Sequence, residues 1–288
     1  MQSELVQKIL EQLKIKTAQT AYKIAIDNNA PTGIFDSKFG GVPYWDLQKP
    51  YPQDANGNKL ALLAQFNFDK NNVSEPLPTK GMLQFFIRAF DDDIYGADFD
   101  NPTKQDGFRV VYHENIDTSV TEAQIKALEI PWDIQSFKVF PLSCEMGITI
   151  TPTEIYMSTA DKHFNHVFCE IASEILQKDI SNTPYYKILS KEEQTQLCDA
   201  LPNGGHTLLG HPFFTQYDPR EDDDILSAYT ILLFQIDSDY DGQEDYVMWG
   251  DCGVANFFIK PENLKNKNFD DILYNWDCLL YTSPNPRD

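Results

Sequence analysis

The chain of 288 residues carries 44 acidic against 23 basic side chains, a net charge of −21, with 42% hydrophobic and 13% aromatic residues. That composition argues against disorder, and the charge argues against nucleic acid or an anionic membrane surface as a partner, since both would be repelled. No apolar run approaches the roughly 18 residues of a membrane-spanning helix, and the N-terminus lacks the apolar centre of a signal peptide, so a cytoplasmic globular protein is expected.

In chain order, SELVQKILEQL sets Leu5, Ile9, Leu10 and Leu13 on one helical face behind Ser3, an N-cap residue type. TAYKIAI at 20–26 alternates as a strand does, and LLAQFNFD at 62–69 and GMLQFFI at 81–87 are short apolar runs bounded by turn residues, which read as buried strands. FRVVYH at 108–113 is a further strand, and Thr121 with Gln124 forms a capping box for a short helix. EMGITITPTEIYM contains a strand, and 160–176 is the best mid-chain helix. A second capping box, Ser190 and Glu193, opens the other member of a mid-chain helical pair. Further strands are read in LLFQIDSD at 232–239, GVANFFI at 253–259 and NWD at 275–277. A helix, then strands, two helices and strands again make an α+β pattern rather than regular alternation. The last eleven residues differ only at Asn285, for Ser, from the translation of a widely used transposon sequencing adapter, so 278–288 is expected to be read-through and the domain to be 1–277.

An internal repeat is the most informative feature. Gly41 and Pro43 recur as Gly210 and Pro212 at an offset of 169, and Leu62, Leu63, Gln65 and Asp69 recur at 170. GMLQFFI and GVANFFI match at 172. Three blocks in register predict two duplicated β-rich halves, about 38–90 and 207–262. Gln65 and Gln235 sit inside buried-looking strands, where an amide must be hydrogen-bonded. Satisfying a neighbouring loop's backbone is the favoured role, with ligand contact as the alternative.

The repeat also bears on Asp237, Asp239, Asp241 and Gly242, which match positions 1, 3, 5 and 6 of an EF-hand loop. The duplication puts them after a strand, not between helices, and Met248 stands where the loop needs Glu. An EF-hand is therefore not expected, although exposed carboxylates here would suit a weak cation site. Three loops, 91–100, 218–224 and 237–245, each hold five acids.

Walker A, GxGxxG, GxSxG and HExxH motifs are absent. His163, His166 and Glu170 share a helical spacing near Cys169, a weak metal pattern, and no metal or cofactor is expected. His206 and His211 flank the second Gly-x-Pro turn as candidate bases without an identifiable partner. In WGDCG at 249–253, Cys252 resembles the nucleophile turn of chymotrypsin-like cysteine proteases, with His113 as a candidate base. The duplication instead makes the following residues a buried strand. Five cysteines, none in a CxxC pair, read as reduced thiols.

Taken jointly and in order, SKFGGVPYWD, LLAQFNFD, GHPFFTQYDPR, LLFQIDSD, MWGDCGVANFFI and NWDC resemble the YwqG-like family of bacterial proteins of unknown function. The resemblance spans about residue 20 to 278. It implies a single-domain α+β fold with a mostly antiparallel sheet, and no established activity. QYDPR, with Gln216, Asp218 and Arg220, matches the family pattern without a settled role. The expectation is a non-catalytic binding protein, with its site in the groove where the repeats meet, near the Gly-x-Pro turns. Its candidate binding residues are Gln65, Gln216, Asp218, Arg220, Gln235, Asp237, Trp249 and Asp251. A basic protein such as a toxin or nuclease would suit the net charge. An enzyme using Cys252, His206, His211 or Asp251 is the alternative, and a structural scaffold is the third reading.

Overall fold

A computed structural model describes residues 3–89, 94–202, 204–221 and 223–279. The predicted N-terminal helix is α1 (Glu4–Thr17), which buries Val6, Ile9, Leu10 and Leu13. The first half then runs β1 (Gln19–Ile26), β2 (Lys38–Phe39), β3 (Ala61–Asn67), β4 (Met82–Ile87), β5 (Phe108–His113) and α2 (Glu122–Lys126). The second opens with β6 (Met146–Ile155), followed by α3 (Phe164–Leu176), α4 (Tyr185–Ile188) and α5 (Lys191–Asp199). It continues through β7 (His206–Leu208), β8 (Ile231–Asp237), β9 (Asp239–Tyr240), β10 (Asp245–Val247), β11 (Val254–Ile259), α6 (Pro261–Lys265) and β12 (Ile272–Asp277). The fold is α+β, and its main sheet is antiparallel throughout the described pairings.

Two sequence expectations are corrected. The mid-chain helical pair is three helices, because Tyr185–Ile188 makes one extra turn. The helix expected from residue 160 begins at Phe164, because Asp161 turns the chain first, accepting the His163 N–H on its side chain (2.9 Å) and the Phe164 N–H on its carbonyl (2.9 Å). Both predicted capping boxes form, at Thr121 and at Ser190. Ser3 precedes α1 without a side-chain cap; its hydroxyl donates to Glu193 (2.7 Å) and so ties α1 to α5.

The ten-stranded sheet has the order β12-β11-β8-β7-β1-β6-β2-β3-β4-β5. Taken inward from either edge, the series β12, β11, β8, β7, β1 answers the series β5, β4, β3, β2, β6. At the centre β1 pairs with β6 over eight residues. The registers correspond as well. Gln65 faces Gln84 across β3 and β4, as Gln235 faces Asn256 across β8 and β11. Each pair of strands is interrupted by a bulge at the same relative place, Leu63 in one and Leu233 in the other.

The sheet closes its inner faces on one another. Phe66 and Phe85 of the first half lie with ring centroids 5.1 and 4.8 Å from Phe234 of the second, and Phe85 is 5.0 Å from Phe257. Edge strands β5 and β12 are drawn together by a tilted contact of Phe108 with Tyr274, ring centroids 5.0 Å apart. The segment 94–106 fills much of the seam between them: Pro102 O accepts the Tyr274 N–H (2.9 Å) and Gln105 Nε2 donates to Phe269 O (2.8 Å). A second core packs α1, α3 and α5 through Ile9, Leu13, Phe168 and Leu197. A third covers the outer face of the first half with Tyr44, Trp45, Tyr51 and Phe86. No described helix is long and apolar enough to cross a membrane.

Candidate functional site

Gln65 and Gln235 are fully buried, and each fixes the loop carrying its own Gly-x-Pro turn. Gln65 Oε1 accepts the Tyr44 N–H (3.1 Å), and its Nε2 donates to Ile34 O (3.0 Å) and Asp36 O (2.7 Å). Gln84 adds a donor to Tyr44 O (2.7 Å) and another to Gln65 Oε1 (3.1 Å). In the second half Gln235 Oε1 accepts the Phe213 N–H (2.7 Å), its Nε2 donates to Gly205 O (2.9 Å), and Asn256 Nδ2 donates to Phe213 O (2.8 Å). Tyr44 and Phe213 each follow a Gly-x-Pro by one residue. These amides satisfy the loop backbone, as buried polar groups require.

The histidines are equally engaged. His113 is buried, T-stacked on Tyr44 and Trp45, with Nε2 3.1 Å from Gln84 Oε1. Burial, reinforced by the Lys49 charge, lowers its pKa to about 4. It belongs to the first half's outer core, whereas Cys252 is exposed in the turn before β11 at φ 58°. His206 Nδ1 accepts the Asp237 N–H (3.1 Å), which leaves Nε2 to donate to Asp239 Oδ2 (3.3 Å). That bond holds the Asp239 carboxyl below its ordinary range, while burial raises Asp237. Asp237 also accepts from Gly205 N (2.7 Å) and Ser238 N (2.9 Å). His211 bridges α1 to the loop before α3, with Nε2 2.8 Å from Thr17 O and Nδ1 3.3 Å from Asp161 Oδ2. His163 precedes α3 rather than standing on it, and Glu170 pairs with Lys16 (2.5 Å).

Among the remaining predicted residues, Asp218 and Arg220 form a buried bidentate pair at 2.8 and 2.6 Å. Arg220 Nη1 also donates to Tyr229 O (3.0 Å), and its guanidinium lies 4.0 Å over the Phe258 ring. Gln216 ties its own loop to the end of β12 through Asp277 Oδ2 (2.6 Å) and Cys278 O. Trp249 is buried against Tyr95 at 5.1 Å, and Asp251 is exposed. The Asp237–Asp245 stretch leaves β8 and forms the β9–β10 hairpin, whose tip is turned by Asp241 Oδ1 accepting Gln243 N (2.9 Å) and Glu244 N (3.0 Å). No group of three metal-ligating side chains occurs among the described residues. Of the acidic loop at 91–100, residues 91–93 lie outside the described residues, as does the tail from 280.

Two clefts frame these elements. One of about 370 Å³ lies over the central strands, between Lys23, Glu154 and Tyr156 on one side and Leu201, Gly204 and His206 on the other. The other, about 540 Å³, runs along β5 between the Trp45–Gln53 loop and Lys267–Asp270. Sequence reading missed the second, because its walls come from three distant segments and no local motif joins them.

Residues 37–278 match the family model of a domain of unknown function, DUF1963. The chain belongs to the DUF1963 family. The matched DUF1963 span takes in the amide side chains of both networks and both edges of the sheet. It leaves outside it α1 and the central strand β1. No curated protein is matched by the chain.

Proposed function

We propose that this DUF1963 protein, YwqG-like in its motif order, is a binding module built by duplication of a β-rich half, and that its partner is a basic protein. The palindromic strand order and the paired bulges support the duplication. The binding reading rests on one observation. Tyr217, Ile225 and Tyr240, exposed by 58, 74 and 58%, stand beside or within two of the acidic loops. Exposed aromatic and aliphatic side chains amid carboxylates offer both contact area and a steering field to a cationic surface. A toxin or nuclease of basic charge fits that description, and a cytoplasmic bacterial setting is part of the same reading.

The enzyme alternative centres on Cys252, and its test is direct. Alkylation of the full chain by iodoacetamide at neutral pH should modify Cys252 within about threefold of the exposed Cys144 and Cys198. A rate more than about tenfold faster would mark an activated thiolate and overturn the binding reading in favour of catalysis. For the partner, capture from host extract should fall sharply from low to high salt and be lost when Asp241, Glu244 and Asp245 become Lys. Salt-independent capture would remove the basic-partner version.

A further inference from the structure

The cleft along β5 has a character opposite to the rest of the surface. The chain holds nearly two acids per base, yet the charged side chains lining this cleft are Lys49, Arg109 and Lys267 against Asp270 alone. Lys267 is matched by Glu114 at 2.8 Å. Neither Lys49 nor Arg109 forms an ion pair with a described residue; the Arg109 Nη2 donates to Gln105 O (2.7 Å), and its buried Nε has no partner. Tyr51 lines the same cleft with a buried hydroxyl that also lacks a partner. Two uncompensated cations and two unspent donors in one cleft point to an acceptor-rich, anionic occupant.

The floor of the cleft says what shape that occupant has. β5 is an edge strand. Gly107 O accepts from Arg88 N (2.8 Å), so odd-numbered residues of β5 turn their backbone toward β4. Even-numbered residues therefore turn outward, and Val110 N does so, donating to Gln105 Oε1 (3.0 Å). Gln105 stands at one end of the cleft. Beyond it the Val110 C=O and the N–H and C=O of Tyr112 face outward along the open edge, between walls carrying Trp45 and Phe269. An open edge is a template for one more strand.

We infer that this cleft binds an extended peptide segment bearing acidic side chains, added as a strand on β5 and held by Lys49 and Arg109. The site is distinct from the acidic loops and takes ligands of opposite charge.

Selection of random heptapeptides displayed on phage against the immobilised full chain tests it. Enriched peptides should be rich in Asp and Glu, and K49Q/R109Q should weaken them at least about tenfold. Binding to this double variant separates the site from the acidic loops, because a basic ligand there would be unaffected or strengthened. On binding, hydrogen exchange of the Tyr112 amide should slow at least about tenfold while that of Val111, already facing β4, stays unchanged. Tyr112→Pro, which removes the outward N–H as well as the side chain, should weaken binding beyond Tyr112→Ala, which removes the side chain alone. The exchange measurement stands even if the proline variant fails to fold. Basic or unenriched peptides, or affinity indifferent to K49Q/R109Q, would overturn the proposal. Acidic peptides that leave Tyr112 exchange unchanged would show an anion site without strand addition, and overturn it equally.

Discussion

The amide networks of the two halves hold the same loop in the same way, yet they end differently. In the first, Gln84 reaches past Tyr44 O to His113, whose Nε2 meets its Oε1 at 3.1 Å. In the second, Asn256 takes the place of Gln84, and register puts Asp277 opposite Val254 where His113 stands opposite Met82. Asp277 is turned to the loop at 215–216, accepting from Thr215 N (3.2 Å) and Gln216 N (2.6 Å). Asn256 Oδ1 is left buried without a partner. A carboxylate has no proton to donate, and Asn is one methylene shorter than Gln, so the second network lacks the last bond of the first. The shared part is the bond pair to the loop after Gly-x-Pro. The ends differ because one half seals an outer core and the other anchors a loop.

The largest test of that likeness is Gln65→Leu. It would strand the Tyr44 N–H and the Ile34 and Asp36 carbonyls in the core, a loss of about 4 kcal/mol in urea unfolding. Hydrogen exchange should then rise across 34–44 and stay slow across 205–213. Gln235→Leu should do the reverse. Deprotection of both loops by either substitution would mean the networks are not independent units.

How far the sequence foresaw this varies with the residue. The sequence predicts the strand at 108–113 at its true bounds, because its neighbours are turn residues and its composition is β-branched and aromatic. The role of Gln65 and Gln235 followed from an amide in an apolar run. Lys38–Phe39 and His206–Leu208, which join each half to the centre, were out of reach, since two or three residues cannot display a period. Lys38 shows the same limit for a side chain. It is buried and bonded to Glu145 at 2.6 Å, 107 positions away, and burial lowers its pKa. Asp218 and Arg220 stand in the sequence only as parts of the QYDPR stretch, and only the fold reveals that the two spend their hydrogen bonds on each other and on Tyr229.

His113 supplies the second test, through pH. Its pKa falls from 6.5 to about 4 on folding, because burial disfavours the charged ring. A depressed pKa means that the unfolded chain binds the proton first as pH drops. The His113 contribution is therefore complete above pH 6.5 and is lost as pH falls toward 4, about 3 kcal/mol in all. His113→Gln keeps a donor for Gln84 without the titration. Its unfolding free energy should be flatter than that of the unmodified chain over this interval. An identical slope would place the titration elsewhere. Asp277, the counterpart, has its pKa raised by burial, so the two halves respond to acid with opposite sign at this position.

The smallest effect discriminates most finely between the two ends. Gln84→Ala removes the donor to Tyr44 O and leaves the His113 Nε2 without its partner, and should cost about 3 kcal/mol. Asn256→Ala removes the equivalent donor to Phe213 O, but it also removes an oxygen that was already unsatisfied. The two changes partly offset, leaving a loss of about 1 kcal/mol. Paired urea titrations of the two variants measure the gap. If Asn256→Ala proved as costly as Gln84→Ala, its oxygen must have a bond partner in solution, and the contrast between the two networks would shrink to the identity of that partner.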